Sequence, residues 1–228
     1  MYFCSIEKYM TQSEENYLKA IYHLGRKNPG VISTNAIAEE MQTKPSSVTD
    51  MVKRLSEKGF LKYKKYQGVN LSESGVRKAL MVIRKHRLWE TFLVEKMNFS
   101  WDEVHEIAEQ LEHIQSEKLI DELDRFLAYP KVDPHGDPIP DKNGEVQSRK
   151  SKLLSNLEIN TSGVCIGVRD SSASFLRYLD KNQIALGDRI QVTEKEDFDD
   201  SIRVQIGGRK LQLSHTIASN LIVTQESE

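Results

Sequence analysis

Cysteine is nearly absent from this chain: Cys4 and Cys165 are the only two in 228 residues. Two cysteines so far apart make no disulfide framework, which fits a reducing cytoplasm. No apolar run approaches the roughly 20 residues that a membrane-spanning helix needs. The opening MYFCSIEKYM has no basic stretch followed by an apolar one, so no signal peptide is expected. A glycine-rich phosphate loop and a nucleophile elbow are both missing, which removes two common signatures of hydrolytic enzymes. Net charge is scarce too, at −2. What remains, 38% apolar and 29% charged, reads as a globular chain with room for two small domains or one large one.

The charge is unevenly placed. From Lys44 to Arg87 twelve Lys/Arg stand against three acidic residues, a net of +9, and from Leu88 to Leu127 eleven acidic residues stand against three basic ones, a net of −8. A basic lobe attracts a polyanion and an acidic lobe a cation. Two solvated helical surfaces of opposite sign would give the same count.

Six side chains with metal-ligand chemistry fall within 28 residues: His86, Glu90, His105, Glu109, Glu112 and His113. At 100° per residue the last four are expected at about 0°, 40°, −20° and 80° on one helical wheel. The apolar arc of Val104, Ala108, Leu111 and Ile114 lies elsewhere. A mixed imidazole and carboxylate set suits Mn, Fe(II), Co or Zn better than Ca or Mg. The plainer reading is a polar helix face.

The basic lobe has its own architecture. Ser13 to about Lys27 carries Tyr17, Leu18, Ile21 and Leu24 at helical core spacing. Ser33 can cap a short helix through Met41, and Gln42-Thr43-Lys44 forms a turn that lacks the usual glycine. Pro45 opens a helix to Lys58 that buries Val48, Met51, Val52 and Leu55, and Gly59 ends it. Phe60 to Leu71 reads as a hairpin with alternating Lys and Tyr, the wing of a winged helix-turn-helix. The second helix would place Lys44, Ser46, Ser47, Thr49 and Asp50 at the major groove. Lys53, Arg54, Lys62, Lys64 and Lys65 would follow phosphates, which position a protein without reading sequence. Asp50 either accepts from cytosine N4 or is a surface carboxylate that contacts nothing.

Ser72 is expected to cap a helix running to about Met97, and Ser100 with Glu103 to form a capping box for the next, with helix continuing in pieces to about Tyr129. Residues 129–151 hold four of the six prolines and read as loop-rich. Short β runs follow at Val164–Val168, Arg189–Thr193, Ile202–Ile206, Lys210–Leu213 and Leu221–Thr224, with one short helix around Ser174–Leu179. The expected fold is mainly α with a C-terminal β domain. It comprises a winged helix-turn-helix (1–72), a helical metal-binding and dimerisation domain (73–140), a linker (141–152) and a small SH3-like β-barrel (153–228).

Four segments in order, EENYLKAIYHL, PSSVTDMVKRL, IRKHRLWETFL and VHEIAEQLEH, resemble the diphtheria toxin repressor and manganese transport regulator family. The end of the chain resembles the FeoA-like barrel of its longer members. The resemblance implies a homodimer that binds palindromic double-stranded operators when loaded with Mn(II) or Fe(II), and represses metal-uptake genes. It implies one site from Glu109, Glu112 and His113 with Asn16, and a second from His86, Glu90 and His105 completed by linker or barrel. Asn16 stands where an Asp or Met is usual, and either binds through its amide oxygen or does not bind. Lys19 replaces the Glu that barrel-less manganese regulators carry, which argues against their two-metal arrangement. Glu109 stands in place of a Cys of the iron-type members, an oxygen that leans towards Mn(II).

Asp133-Pro134-His135-Gly136 resembles a linker motif of streptococcal-like manganese regulators, so Asp133, His135 and Asp170 join the second-site candidates; plain turn chemistry is the alternative. Without metal, Glu109 and Glu112 are expected to repel each other and leave the first helix loosely held. No enzyme is expected: His105-Glu106-Ile107-Ala108-Glu109 departs from the zincin HExxH pattern at its second His. A winged-helix sensor of an organic ligand stays open, and a pure interaction module would leave the basic winged helix unexplained.

Overall fold

A computed structural model describes residues 10–64, 68–147 and 149–225. They form two compact units: Met1–His86 with Glu109–Glu122 and Pro140–Glu145, and Arg87–Ala108 with Leu123–Ile139 and Val146–Glu228. Lys65 and Cys4 lie outside the described residues.

The first unit opens with α1 (Gln12–Lys27), whose start is fixed by a capping box between Thr11 and Glu14. α2 (Thr34–Glu40) is capped by Ser33, and α3 (Pro45–Glu57) has Pro45 in its first turn, where the missing N–H costs nothing. β1 (Leu61–Lys64) and β2 (Gly68–Leu71) pair antiparallel as a wing, and Ile32 bridges to Val69 alongside them. Leu18, Ile21, Ile37, Val48, Val52, Leu55 and Val69 are fully buried in one core, so the apolar positions at helical spacing do face inward. Ser72 Oγ accepts from Gly75 N–H at 3.1 Å and caps α4 (Glu73–Met97).

The helix-turn-helix turn is made without glycine. Gln42 takes φ +48°, while Thr43 N–H donates to Ala38 O (2.9 Å) and Gln42 N–H to Glu39 O (3.1 Å). This is the paired bonding of a left-handed helix cap, and α3 closes the same way with Gly59 at φ +78°. A side chain at positive φ costs about 1 kcal/mol or more, which glycine avoids. Gln42→Gly is therefore expected to stabilise the unit by about 1 kcal/mol, measured as a shift in the urea midpoint at unchanged slope.

α5 (Val104–Leu111) begins a turn later than the Ser100–Glu103 pair predicts. Half of the expected box is present, Ser100 N–H donating to Glu103 Oε2 at 3.1 Å, but Ser100 Oγ lies 2.7 Å from both the Asp102 and Glu103 carboxylates and shares its proton with them, where a capping hydroxyl would accept from the helix. α6 spans Glu117–Phe126. A six-stranded antiparallel sheet follows, in the order β3-β8-β4-β5-β6-β7: β3 (Lys152–Leu153), β4 (Ser162–Val168), β5 (Arg189–Lys195), β6 (Ile202–Ile206), β7 (Arg209–Leu213) and β8 (Leu221–Gln225). Register shifts at Cys165/Gly167 and Val192/Glu194 bend β4 and β5, as bulges do. α7 (Ala173–Lys181) and the short α8 (His215–Ala218) complete the domain, and Leu176, Leu179, Ile190, Val204, Leu221 and Val223 fill its core. Cys165 is buried there, and burial pushes its thiol up to about 11, so it packs as a small apolar group. Among the described residues no helix is long and apolar enough to cross a membrane.

Candidate metal centre and nucleic-acid interface

In the second unit the turn Asp133-Pro134-His135-Gly136 is held from both ends. Asp133 Oδ1 accepts from the N–H groups of His135 (2.8 Å) and Asp137 (3.0 Å), an Asx-type turn. Gly136 has φ +87°, and a Cβ there would stand 2.0 Å from the Ile166 carbonyl oxygen, so no other residue fits without displacing β4. Val168 N–H donates to His135 O at 3.0 Å and ties the turn to the same strand.

The His135 ring stacks on Trp101, with centroids 6.1 Å apart, and its Nε2 lies 2.8 Å from Trp101 O. A carbonyl only accepts, so Nε2 carries the proton and Nδ1 is left facing Glu90 Oε2 at 3.7 Å. Fixing a ligand histidine through its other nitrogen is how metal sites orient their imidazoles. His105 Nδ1 lies 3.4 Å from Glu90 Oε1. Glu90, Asp133 and His135 are all buried, and one donor atom from each lies within 4.8 Å of the others.

Electrostatics point the same way. Burial drives the Asp133 carboxyl up, the Asp137 and Glu90 charges add to it, Arg87 and His135 oppose it, and the outcome is about 7. Burial alone would lower His135, but the Glu90 carboxylate, the Asp133 charge and the Trp101 carbonyl outweigh it and lift the imidazole to about 9. His135 thus keeps its proton at neutral pH and Asp133 titrates there, a perturbation of the kind that marks functional sites. Asp170 stands outside this group of donor atoms, and its Oδ1 accepts from Ser172 N–H at 2.8 Å.

The first unit gathers His86, Glu109 and Glu112 in a similar way. α5 ends at Leu111, so Glu112 and His113 leave the helical wheel on which the sequence places them. Glu112 is turned fully inward, and His86 Nδ1 approaches its Oε2 at 2.6 Å. His113 Nδ1 lies 2.6 Å from Glu15 Oε2, which leaves Nε2, 3.7 Å from Glu112 Oε1, as the free nitrogen. The expected repulsion between Glu109 and Glu112 does not occur. Lys19 Nζ contacts Glu109 Oε1 at 2.5 Å and Glu112 Oε1 and Oε2 at 2.6 and 2.8 Å, so α1 is pinned to this segment. Asn16, one helical turn before Lys19, has a buried amide oxygen without a hydrogen-bond partner. An orphaned acceptor of this kind costs about 1–3 kcal/mol and fits a ligand oxygen. The imidazole and carboxylate donors of both clusters fit a divalent transition metal.

The candidate DNA surface lies on α3 and the wing. Lys44, Ser46, Ser47, Asp50, Lys53, Arg54, Lys62 and Lys64 are exposed, and Thr49 is half-buried with its hydroxyl donating to Pro45 O at 2.9 Å.

Sequence reasoning missed the supporting side chains. Lys19 was read only as a missing ligand, while Glu15, Trp101 and Arg87 were not singled out. Arg87 donates to Pro138 O and lies 3.4 Å from Asp133 and 3.0 Å from Asp137, fastening the turn. Its place next to His86 on α4 was the available signal.

A winged helix followed by a helical segment rich in buried metal donors defines the class, a DNA-binding regulator of transcription. Residues 9–69 match the iron dependent repressor N-terminal DNA binding domain, residues 72–141 the iron dependent repressor metal binding and dimerisation domain, and residues 152–225 the FeoA domain. An HTH-type transcriptional regulator of Methanocaldococcus jannaschii is 36% identical over 118 residues, 52% of this chain and 94% of the relative. The iron-dependent repressor IdeR of Mycobacterium tuberculosis is 36% identical over 132 residues, 58% of this chain and 56% of the relative, so the match spans about half of that protein. A solved manganese-dependent transcriptional repressor in complex with manganese superposes with a TM-score of 0.84 at 33% identity, covering 93% of this chain and all of that one (100%). The chain belongs to the iron-dependent repressor family of metal-dependent transcriptional repressors.

Proposed function

We propose that this protein is a cytoplasmic, non-enzymatic repressor of metal-uptake genes that binds palindromic operator DNA as a homodimer when loaded with Mn(II) or Fe(II). The observation that carries the reading is the buried set Glu90, Asp133 and His135, in which a carboxylate of α4 meets two donors of a turn far along the chain. With His105 they would hold one ion; Glu109, Glu112 and His113, with the Asn16 amide oxygen, would hold another, and His86, expected in the former site, lies 2.6 Å from Glu112 of the latter. Such an ion supplies positive charge that neutralises buried carboxylates and fixes the segments carrying them. Asp170, two residues beyond the strand whose Val168 is bonded to the His135 turn, is the barrel's candidate contribution.

The relatives named above, one iron-dependent and one manganese-dependent, support either metal. The domain division proposed is 1–72 for DNA, 73–140 for metal and dimerisation, 141–152 as linker and 153–228 as barrel. Exposed Met97, Phe126 and Tyr129 offer apolar surface for the dimer. Lys44, Ser46, Ser47, Thr49 and Asp50 would face bases, and Lys53, Arg54, Lys62, Lys64 and Lys65 phosphates.

The test is fluorescence anisotropy on a palindromic operator from a metal-transporter promoter, at one fixed salt concentration because phosphate contacts make affinity salt-dependent. EDTA-treated protein is expected not to bind, and Mn(II) or anaerobic Fe(II) to restore binding. Equal affinity with and without metal would sink the proposal and leave a winged-helix regulator of another signal.

A further inference from the structure

Lys19 has a placement that neither a surface lysine nor a spectator would take. Its ammonium touches three of the four oxygens of Glu109 and Glu112, at 2.5, 2.6 and 2.8 Å, and its side chain is only 13% exposed. Glu112 is fully buried and also receives His86 Nδ1 at 2.6 Å. One positive charge on the chain's own first helix therefore occupies the ground between the two carboxylates. A divalent ion held by both would have to approach those same oxygens at about 2.0–2.2 Å. The ion and the ammonium cannot both sit there: the space is shared, and two cations so close in a buried site repel.

Resting on the reading that Glu109 and Glu112 hold an ion, we infer that Lys19 is a tethered competitor for it. The cluster has two closed states, one held by Lys19 and one by the metal, and Lys19 withdraws when the metal enters. Two consequences distinguish this arrangement from an empty acidic pocket. The metal-free protein keeps α1 fastened to the segment around Glu112, through Lys19 and through Glu15, which bonds His113 at 2.6 Å and Gln115 at 2.9 Å. The metal concentration needed to fill the cluster is set partly by the lysine it must displace, so position 19 tunes the threshold of the sensor without contributing a ligand.

The experiment is isothermal titration calorimetry of Mn(II) into the full chain, comparing wild type, Lys19→Met, Lys19→Arg and Glu112→Gln. Lys19→Met keeps the length of the side chain and removes its charge. One class of sites is expected to tighten about tenfold or more in that variant, the size of effect that one nearby like charge exerts on another. Lys19→Arg should stay near wild type, and Glu112→Gln should lose that class. A second readout needs no variant: acylation of Lys19 by an N-hydroxysuccinimide ester, followed by mass spectrometry, should speed up severalfold when Mn(II) saturates the protein. If Lys19→Met leaves every affinity unchanged and Lys19 is equally protected with metal, while Glu112→Gln still loses one class, the competitor is overturned and the metal site stands. If Glu112→Gln changes nothing either, the cluster is no metal site and both readings fall.

Discussion

Glu90→Gln is expected to weaken Mn(II) binding at the second unit's cluster by about a hundredfold or more, because outer-shell partners alone cost about 10–100-fold and Glu90 is proposed as a direct ligand. The substitution changes a charge and almost no volume, at a side chain only 3% exposed. Glu90 is the carboxylate that faces both His135 Nδ1 at 3.7 Å and His105 Nδ1 at 3.4 Å, so it is the shared member of the group. Calorimetry would read the loss of one class of sites. Operator binding measured in parallel should need correspondingly more Mn(II), since metal and DNA affinities are reciprocally coupled. An unchanged Mn(II) titration would show that Asp133 and His135 are turn residues and that Glu90 merely pairs with a buried imidazole.

That ambiguity marks where the sequence stopped being legible. The winged helix could be read because its apolar residues recur at helical spacing and its termini carry Ser33, Pro45 and Gly59 in their usual roles. Gln42 shows the limit of the turn argument: backbone hydrogen bonds hold a glutamine where glycine is the default. The β runs of the C-terminal domain were legible from β-branched residues and punctuating glycines, but β3 is two residues long and carries no periodicity.

The six ligand candidates were legible as chemistry, not as geometry. A wheel drawn through Glu112 and His113 assumes that the helix continues, but α5 ends at Leu111, two residues before His113. Asp133 and His135 entered only through the resemblance, because an Asp-Pro-His-Gly string is equally good turn chemistry. Asp133 in fact does the turn's work with Oδ1 while Oδ2 lies 3.4 Å from Arg87. Lys19 was invisible for another reason. A lysine on the polar side of an amphipathic helix looks solvated until the partner carboxylates, 90 and 93 residues away, are placed.

Mn(II) affinity at Glu90, Asp133 and His135 is expected to rise steeply with pH. The His135 imidazole keeps its Nδ1 proton up to about 9, and the Asp133 carboxyl keeps its own up to about 7. A cation held by those atoms must displace both protons. Above about 9 the affinity should be flat. Between about 7 and 9 one proton is released, and the affinity changes by up to about tenfold per pH unit; below about 7 two are released, and the limit is about a hundredfold.

The metal-free fold responds in the opposite sense. Both groups have values raised above the ordinary 6.5 of histidine and 3.8 of aspartate, so the stability that their protonation contributes is present at acid pH. It is lost as pH climbs through about 7 for Asp133 and about 9 for His135. Thermal unfolding with EDTA and with anaerobic Mn(II) should therefore diverge as pH rises, the metal-free Tm falling while the metal-bound Tm, its ligands already deprotonated, does not follow it. Asp133→Asn removes the lower of the two titrations, and with it the steepest part of the Mn(II) dependence below about 7. A gap between the two Tm values that stays constant across this range would mean that no proton leaves the cluster when the metal arrives, and that the ion binds elsewhere.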